Sequence, residues 1–179
     1  MIDFLIKVKG YSFKDALYEL ADKAGIELSF KSSKLNNIIY EINSFTKDIF
    51  HQNLLNSNKH LDYLLKKRKF NMDTIQSFEL GSSLNSFDIQ KKLLNNFEIN
   101  NLVSAGIFSK NKNSKLFFSN RIMVPIINMQ NKTLGFGGRV IDDSLPKYIN
   151  TAETKIFNKK QILFKDKILN KQNSKKIII

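Results

Sequence analysis

The sequence predicts an α+β protein, in which a helical N-terminal part packs with a mixed β-sheet that contains a hairpin. Through about the first hundred residues, apolar side chains recur at helical spacing. After Gly106 the spacing becomes that of strands, with apolar runs at 122–128 and 133–141 separated by a polar turn. The chain has 179 residues, of which 42% are hydrophobic, so it can bury one core of ordinary size.

Local signals predict the helix boundaries. Ser12 begins a capping box with Asp15, and Gly25 closes the same helix. Asn71 is a favoured N-cap for a short helix that Gly81 stops. The basic run 66–69 ends another helix, where positive charge suits the helix dipole. The predicted helices cover about 12–24, 35–55, 58–67, 72–80, 87–97 and 99–103.

The C-terminal part carries weaker structural signals. Pro125 lies inside the first strand and predicts an edge or a bulge there. The glycines of GFGGR (135–139) lead into a strand and not into a helix, which favours a close backbone approach over a phosphate loop. Residues 109–114 suggest a flexible loop. A short helix is expected at 164–169, and a buried strand is expected to open at 176–179, which suggests a truncated boundary.

The charge distribution favours a polyanionic partner. The formal net charge is +13. Residues 1–104 carry 14 Lys and Arg against 12 Asp and Glu, whereas residues 105–179 carry 15 against 4. Codon usage that favours Lys raises the total positive charge of a protein. It does not explain why the excess of positive charge lies in the C-terminal half. We therefore expect a basic face in the C-terminal part, facing nucleic acid or an acidic membrane surface.

Several function classes are excluded or disfavoured. The sequence has no cysteine, which excludes disulfides, thiolate catalysis and cysteine-based zinc sites within these residues. Only His51 and His60 are present, and both are expected at surface or helix-end positions without a catalytic role. The pair Asp142–Asp143 is expected to form a turn and not to bind metal. No apolar run is long enough for a membrane span, so the default location is the cytoplasm.

Four sequence blocks resemble the middle of DnaG-type bacterial DNA primases. They are NRIMVPI (120–126), GFGGRV (135–140), PKYIN (146–150) and ETKIFNK (153–159). The family shows an Arg before an apolar-Pro-Ile strand, then GFGGR, then PKY followed by Asn, then Glu-Thr and Phe-x-Lys. The order and the gaps of all four blocks agree with this pattern.

The resemblance extends upstream over most of the chain. Residues 4–28 resemble the segment that joins the family's zinc domain to its polymerase domain, and residues 60–81 resemble its Tyr-Leu…Arg-Gly stretch with the following helix. The implied divisions are a linker tail at 1–33, the N-terminal subdomain of the catalytic core at 34–170, and the start of a truncated TOPRIM domain at 171–179.

The resemblance implies which residues bind DNA. Lys and Arg neutralise backbone phosphates without reading sequence, and an adjacent aromatic ring can stack on an unpaired base. The family's basic groove corresponds here to Arg68, Arg121, Arg139, Lys147 and Lys159, with Tyr148 beside Lys147. No catalytic residue is assigned. Family departures include Lys69 in place of Gly, Ser119 in place of Arg, Ala152 in place of Pro and Asn158 in place of His.

The resemblance also implies the activity and its partners. The family makes short RNA primers on single-stranded DNA from ribonucleoside triphosphates. Its TOPRIM carboxylates hold Mg²⁺, and its zinc ribbon holds Zn²⁺. These 179 residues are expected to align single-stranded DNA template, and the RNA–DNA hybrid, without supplying the metal ligands. We expect a monomer, no membrane partner, and a replicative helicase contact in the full-length protein.

Two other functions remain open at this point. A non-catalytic module that binds single-stranded nucleic acid accounts for the charge without primer synthesis. The other is a basic ribosome-associated protein, whose Lys content would come from the codon usage of its lineage. Such a protein prefers folded RNA over single-stranded DNA.

Overall fold

A computed structural model describes residues 2–9, 11, 13–26, 34–110, 115–128 and 130–159. Helices fill most of the N-terminal two thirds of the described chain, and three of the four strands of one sheet follow them. The helices are α1 (Ile2–Lys9), α2 (Phe13–Lys23), α3 (Lys34–Leu55), α4 (Asn58–Asp62), α5 (Met72–Ser77), α6 (Ser86–Asn96) and α7 (Ile99–Ser104). The strands are β1 (Gly81–Ser82), β2 (Arg121–Ile127), β3 (Thr133–Val140) and β4 (Tyr148–Asn150).

The predicted helices are confirmed at α2, α3, α5, α6 and α7. Asn71 caps α5, because its Oδ1 accepts a 2.7 Å hydrogen bond from the Thr74 N–H. Gly25 follows α2 with a φ of +66°, the left-handed geometry that ends helices. None of the described helices is long and apolar enough to cross a bilayer. Ser12, most of the 109–114 loop and the elements expected at 164–169 and 176–179 lie outside the described residues.

The helix predicted at 58–67 differs from the observed one. It is α-helical only over α4 and continues as a π-helical turn, Tyr63–Lys67. The Arg68 N–H donates to the Tyr63 carbonyl, five residues earlier, at 3.0 Å. A wider turn of this kind changes the direction in which the following side chains point.

The α+β class is confirmed, but the sheet is antiparallel throughout the described residues, where the sequence predicts a mixed sheet. The strand order is β1-β2-β3-β4, and each neighbouring pair is antiparallel. The turn after β2 and the loop after β3 are short and reverse the chain. Helices α6 and α7 connect β1 to β2, which pairs with β1 in the antiparallel direction.

The short outer strands β1 and β4 are not predicted by the sequence. Pro125 lies on an inner strand, beyond the two-residue ladder that β1 forms opposite Met123 and Ile122. Its missing N–H therefore breaks no β1 pairing. A register irregularity falls between Ile126 and Ile127, next to the proline.

Helix α3 packs on the sheet and builds the larger core. Phe50, Phe118 and Phe136 contact one another edge to face, with ring centroids 5.3–6.5 Å apart. Gly81 permits this packing, because a Cβ there would lie 2.6 Å from the Phe50 Cβ. Asn43 Nδ2 connects α3 to the start of β3 by donating to the carbonyls of Thr133 and Leu134 at 3.2 and 3.0 Å.

A second, smaller core supports the opposite side of the sheet. Buried side chains from α3, the π-helical turn, α5 and β2 form it: Leu54, Leu64, Ile75, Leu80 and Ile122. It covers only part of that face, and the uncovered part forms the cleft described below.

Candidate nucleic-acid interface

Three of the six residues predicted to bind DNA line one cleft. Arg68 comes from the end of the π-helical turn, Arg139 from the end of β3 and Tyr148 from the start of β4. Pairing between β3 and β4 sets Arg139 opposite Tyr148, so the sheet register fixes their proximity. The cleft therefore joins residues that are up to 80 positions apart in the sequence.

Arg139 lies between two tyrosine rings. Its guanidinium carbon is 5.5 Å from the ring centroid of Tyr63 and 5.5 Å from that of Tyr148. Its Nε donates to the Tyr148 hydroxyl at 2.9 Å, and its Nη1 donates to the Val140 carbonyl at 3.1 Å. These contacts orient the guanidinium while leaving the side chain only half-buried.

The π-helical turn places the other wall of the cleft. Phe70 N–H donates to the Leu64 carbonyl at 3.0 Å, and Lys69 adopts a φ of +57°. Glycine adopts a left-handed φ more readily than a residue with a Cβ does. This explains why the family resemblance implies Gly at the position of Lys69. The turn leaves Lys67, Arg68 and Lys69 exposed, with Lys67 Nζ 5.8 Å from the Tyr63 ring centroid.

Positive charge therefore reaches the cleft from both halves of the chain. The sequence predicts the basic face in the C-terminal part, but the basic run 66–69 lies in the other half and borders the same cleft through Arg68. The pKa of the Tyr148 phenol is lowered by the hydrogen bond from Arg139 and by the charges of Arg139, Lys147 and Arg68. These groups thus share one positive electrostatic environment.

Lys147 lies beside the cleft, next to Tyr148. Its side chain is exposed, and its carbonyl accepts a 3.2 Å hydrogen bond from the Val140 N–H. The backbone is thus fixed while the ammonium group reaches solvent. This arrangement suits a contact with a phosphate.

Arg121 differs from the other predicted residues because it is buried, with 8% of its surface exposed. Its Nη1 lies 3.5 Å from the carbonyl oxygens of Gly138 and Lys147. Its Cδ passes over Gly138, where a Cβ would lie 3.0 Å away. Burial lowers the pKa of the guanidinium, and the charge of Asp142 opposes that shift.

Lys159 is not brought together with the cleft residues. It follows Phe157, which packs with Ile126 and Leu134 at the far end of the β2–β3 hairpin. Arg139 pairs with Ile122 at the near end. The predicted basic groove is therefore divided between the two ends of the hairpin.

His60 corrects the expectation of a surface role. It is fully buried, and its Nδ1 lies 2.7 Å from the Ser82 Oγ. Burial lowers the pKa of its imidazole below the ordinary value, as does the charge of Lys59, whereas Asn120 and Asp142 oppose the shift. His51 is half-buried and donates from Nδ1 to the Leu80 carbonyl at 2.7 Å.

The expected turn at Asp142–Asp143 is confirmed. The Asp142 carboxylate accepts a 3.1 Å hydrogen bond from the Ser144 N–H and a second one from the Ser144 hydroxyl. Over the ranges that the structure describes, no three His, Asp or Glu side chains meet in a group able to hold a metal ion. The described residues therefore do not fit a site for Mg²⁺ or Zn²⁺.

Tyr63, Phe70 and Asn150 also line the cleft, although no motif in the sequence marks them as parts of this site. Asn150 closes the PKYIN block, and Tyr63 lies five residues before Arg68. These positions were the signals that the sequence offered. The contact between Tyr63 and Arg139 depends on tertiary packing, which helical spacing does not predict.

The fold and the cleft together define an α+β domain with a cationic, tyrosine-lined surface. Residues 49–169 match the family model described as the DNA primase catalytic core, N-terminal domain. The chain belongs to this family.

Curated relatives agree with this assignment. The chain is 38% identical to the DNA primase of Deinococcus radiodurans over 167 residues, which cover 90% of this chain and 29% of the relative. It is 34% identical to the DNA primase of Rickettsia prowazekii over 177 residues, covering 92% of this chain and 29% of that protein. The chain thus spans less than a third of the length of these relatives.

Solved structures share the fold. An Aquifex aeolicus primase structure with zinc-binding and RNA polymerase domains aligns with a TM-score of 0.64 at 27% identity, covering 88% of this chain and 40% of that one. A DnaG primase catalytic domain bound to ssDNA aligns with a TM-score of 0.65 at 27% identity, covering 71% of this chain and 41% of that one.

Proposed function

We propose that this chain is the template-holding part of a DNA primase that makes short RNA primers on single-stranded DNA from ribonucleoside triphosphates. The observation that carries the proposal is the convergence of Arg68, Arg139 and Tyr148 on one cleft, in a chain that belongs to the primase core family. Family membership favours this function over a stand-alone binding module and over a ribosome-associated protein.

The proposed contacts divide into two kinds. Arg68, Arg139 and Lys147 neutralise phosphates of the template, and Tyr148 stacks on an unpaired base. Tyr148 suits that role because the residue is 63% exposed. Three of the predicted residues, Arg68, Arg139 and Tyr148, line this cleft together.

Arg121 and Lys159 take different parts in the proposal. Arg121 supports the cleft from below, since its guanidinium approaches the carbonyls of Gly138 and Lys147. Lys159 is exposed at the other end of the hairpin. It would contact a strand, or an RNA–DNA hybrid, only where that strand extends along the sheet.

The remaining partners belong to the proposal for the whole protein. By family resemblance, Mg²⁺ supports nucleotidyl transfer and Zn²⁺ holds a zinc ribbon, and the described residues contribute no ligand cluster for either ion. The proposed divisions are 1–33, 34–170 and 171–179, of which the last lies outside the described residues. We propose a monomer that acts at the cytoplasmic replication fork beside the replicative helicase.

Binding of labelled oligonucleotides to the 179-residue chain tests this function directly. Fluorescence anisotropy is measured with single-stranded DNA, with duplex DNA of the same length and with a folded RNA hairpin. Tightest binding to single-stranded DNA is expected. Preference for the RNA hairpin would favour the ribosome-associated function, and no binding at low salt would contradict the proposal.

An assay of primer synthesis by the same chain tests the proposal that these residues hold the template without catalysing synthesis. We expect no RNA product when template, ribonucleoside triphosphates and Mg²⁺ are supplied, because the described residues form no group able to hold the metal. Detectable primers would show that these residues do more than hold the template.

A further inference from the structure

The cleft beside Arg139 is large enough to hold a planar ring system. It encloses about 260 Å³. Aromatic rings of Tyr63, Phe70 and Tyr148 line it, and the Asn150 side chain adds an amide group. Phe70 and Tyr148 remain 39% and 63% exposed, so their rings are accessible from solvent.

A glycine keeps the floor of the cleft open. Gly137 lies on β3 opposite Val124 on one side and Asn150 on the other. Its face of the sheet is the one that lines the cleft. A Cβ at this position would lie 3.2 Å from the Asn150 Oδ1, its nearest neighbour. A methyl group would therefore occupy cleft volume, and the Asn150 amide would shift slightly to accommodate it.

The lining chemistry matches one class of occupant. Aromatic rings and guanidinium planes are the surfaces on which unstacked bases pack, and an amide can hydrogen-bond to a base edge. An aliphatic ligand would not need the amide or the guanidinium. The exposed cations Lys67, Arg68 and Lys147 beside the cleft complement the phosphates that flank a captured base.

We infer that the cleft is a base-binding pocket, in which Tyr63, Phe70, Gly137 and Asn150 receive a single unstacked base of the bound strand. This inference rests on the proposed function and deepens it, because it names the part of the nucleic acid that enters the cleft. Tyr63 and Phe70 form the aromatic walls, Gly137 is the floor that leaves room, and Asn150 contacts the base edge.

The test compares two oligonucleotides with the same phosphates. One is a twelve-residue thymidine strand, and the other is an abasic strand of equal length. Their Kd values are measured by anisotropy at one salt concentration, with the wild-type 179-residue chain and its variants. Stacking on protein aromatic rings strengthens binding substantially per base, so the wild type is expected to prefer the thymidine strand by roughly tenfold.

Variants locate the preference in the cleft. Tyr63→Ala and Gly137→Ala are each expected to lower the preference at least threefold, whereas Tyr63→Phe retains it. Phe87→Ala is the matched control, because Phe87 is a 78% exposed aromatic on α6 that does not line the cleft. If Tyr63→Ala fails to fold by circular dichroism, Gly137→Ala decides, because it only adds a methyl group.

The outcomes separate this inference from the proposed function. Equal binding of both strands by the wild type, or a preference that Gly137→Ala leaves unchanged, overturns the base-binding pocket while template binding stands. If neither strand binds, the proposed function itself fails, and the inference fails with it.

Discussion

The two faces of the sheet place an arginine in different environments, buried on one face and half-buried on the other. Arg121 and Arg139 lie on paired strands, one position out of register, since Arg139 pairs with Ile122. Arg121 is buried beside backbone carbonyls, whereas Arg139 lies half-buried between two tyrosine rings. Both arginines belong to the basic groove that the family resemblance implies. A residue-by-residue resemblance thus assigns them one role, but burial separates them.

The difference follows from how each face is covered. A buried guanidinium must find hydrogen-bond acceptors, because its charge loses its hydration. Gly138 provides both the space and a carbonyl for Arg121. The other face is covered only by the smaller core, so Arg139 keeps access to solvent. We therefore expect mutations on the packed face to change stability and those at the cleft to change DNA affinity.

The largest effect is expected in the packed core. Phe136→Ala removes a fully buried ring that contacts Phe50 and should lower the free energy of unfolding by about 3–5 kcal/mol. Urea unfolding followed by circular dichroism measures this change. A loss below about 1 kcal/mol would show that this face is not tightly packed.

The two arginines provide the sharpest contrast. Arg121→Ala should destabilise the protein by about 2 kcal/mol, because it removes a buried side chain and its hydrogen bonds to the carbonyls of Gly138 and Lys147. Arg139→Ala should cost less than about 1 kcal/mol, since a half-buried charge that keeps access to solvent contributes little to stability. Urea unfolding of both variants checks the difference. Equal losses would mean that the two faces are not distinct.

Acid should destabilise the protein through His60. Burial favours the neutral imidazole, so the folded pKa lies below the unfolded value of about 6.5. The unfolded chain therefore binds the proton first, and stability present above that pH is lost as the pH falls towards the folded pKa. Urea midpoints at pH 7.5 and pH 5.5 measure this loss. His60→Asn should show a smaller pH dependence, and an unchanged one would contradict the assignment.

The smallest effect is expected at Lys69. Its φ of +57° is costly for a residue with a Cβ, so Lys69→Gly should stabilise the protein by about 1 kcal/mol or slightly less. Thermal unfolding measures the change. Lys67→Gly serves as the control because it lies inside the π-helical turn, where glycine should destabilise.

The sequence predicted the elements whose signals are local. Apolar periodicity predicted the long helix α3, and the Asn71 cap predicted α5. Both signals depend on residues that are close together in the sequence. The hairpin emerged from its two apolar runs. Strands β1 and β4 were missed, since two or three residues carry too little pattern to separate a strand from a loop.

The site was predictable only in part, for a related reason. Family motifs pointed to Arg68, Arg139 and Tyr148, which the fold does bring together. Tyr63 was missed because its contact with Arg139 joins two distant parts of the sequence. The burial of His60 was missed because its partner Ser82 lies 22 residues away. Contacts of this kind depend on tertiary packing, which spacing does not encode.

The central claim is that the Arg139 face binds single-stranded DNA, and the salt dependence of affinity tests it most directly. Log affinity falls with log salt by about 0.7 for each phosphate neutralised on a single strand. Lys132→Ala is a matched control, because Lys132 also lies over a tyrosine ring but at the opposite end of the hairpin. We expect Arg139→Ala to make the slope shallower by roughly one contact and Lys132→Ala to leave it unchanged. An unchanged slope and affinity for Arg139→Ala would show that this face does not bind the strand.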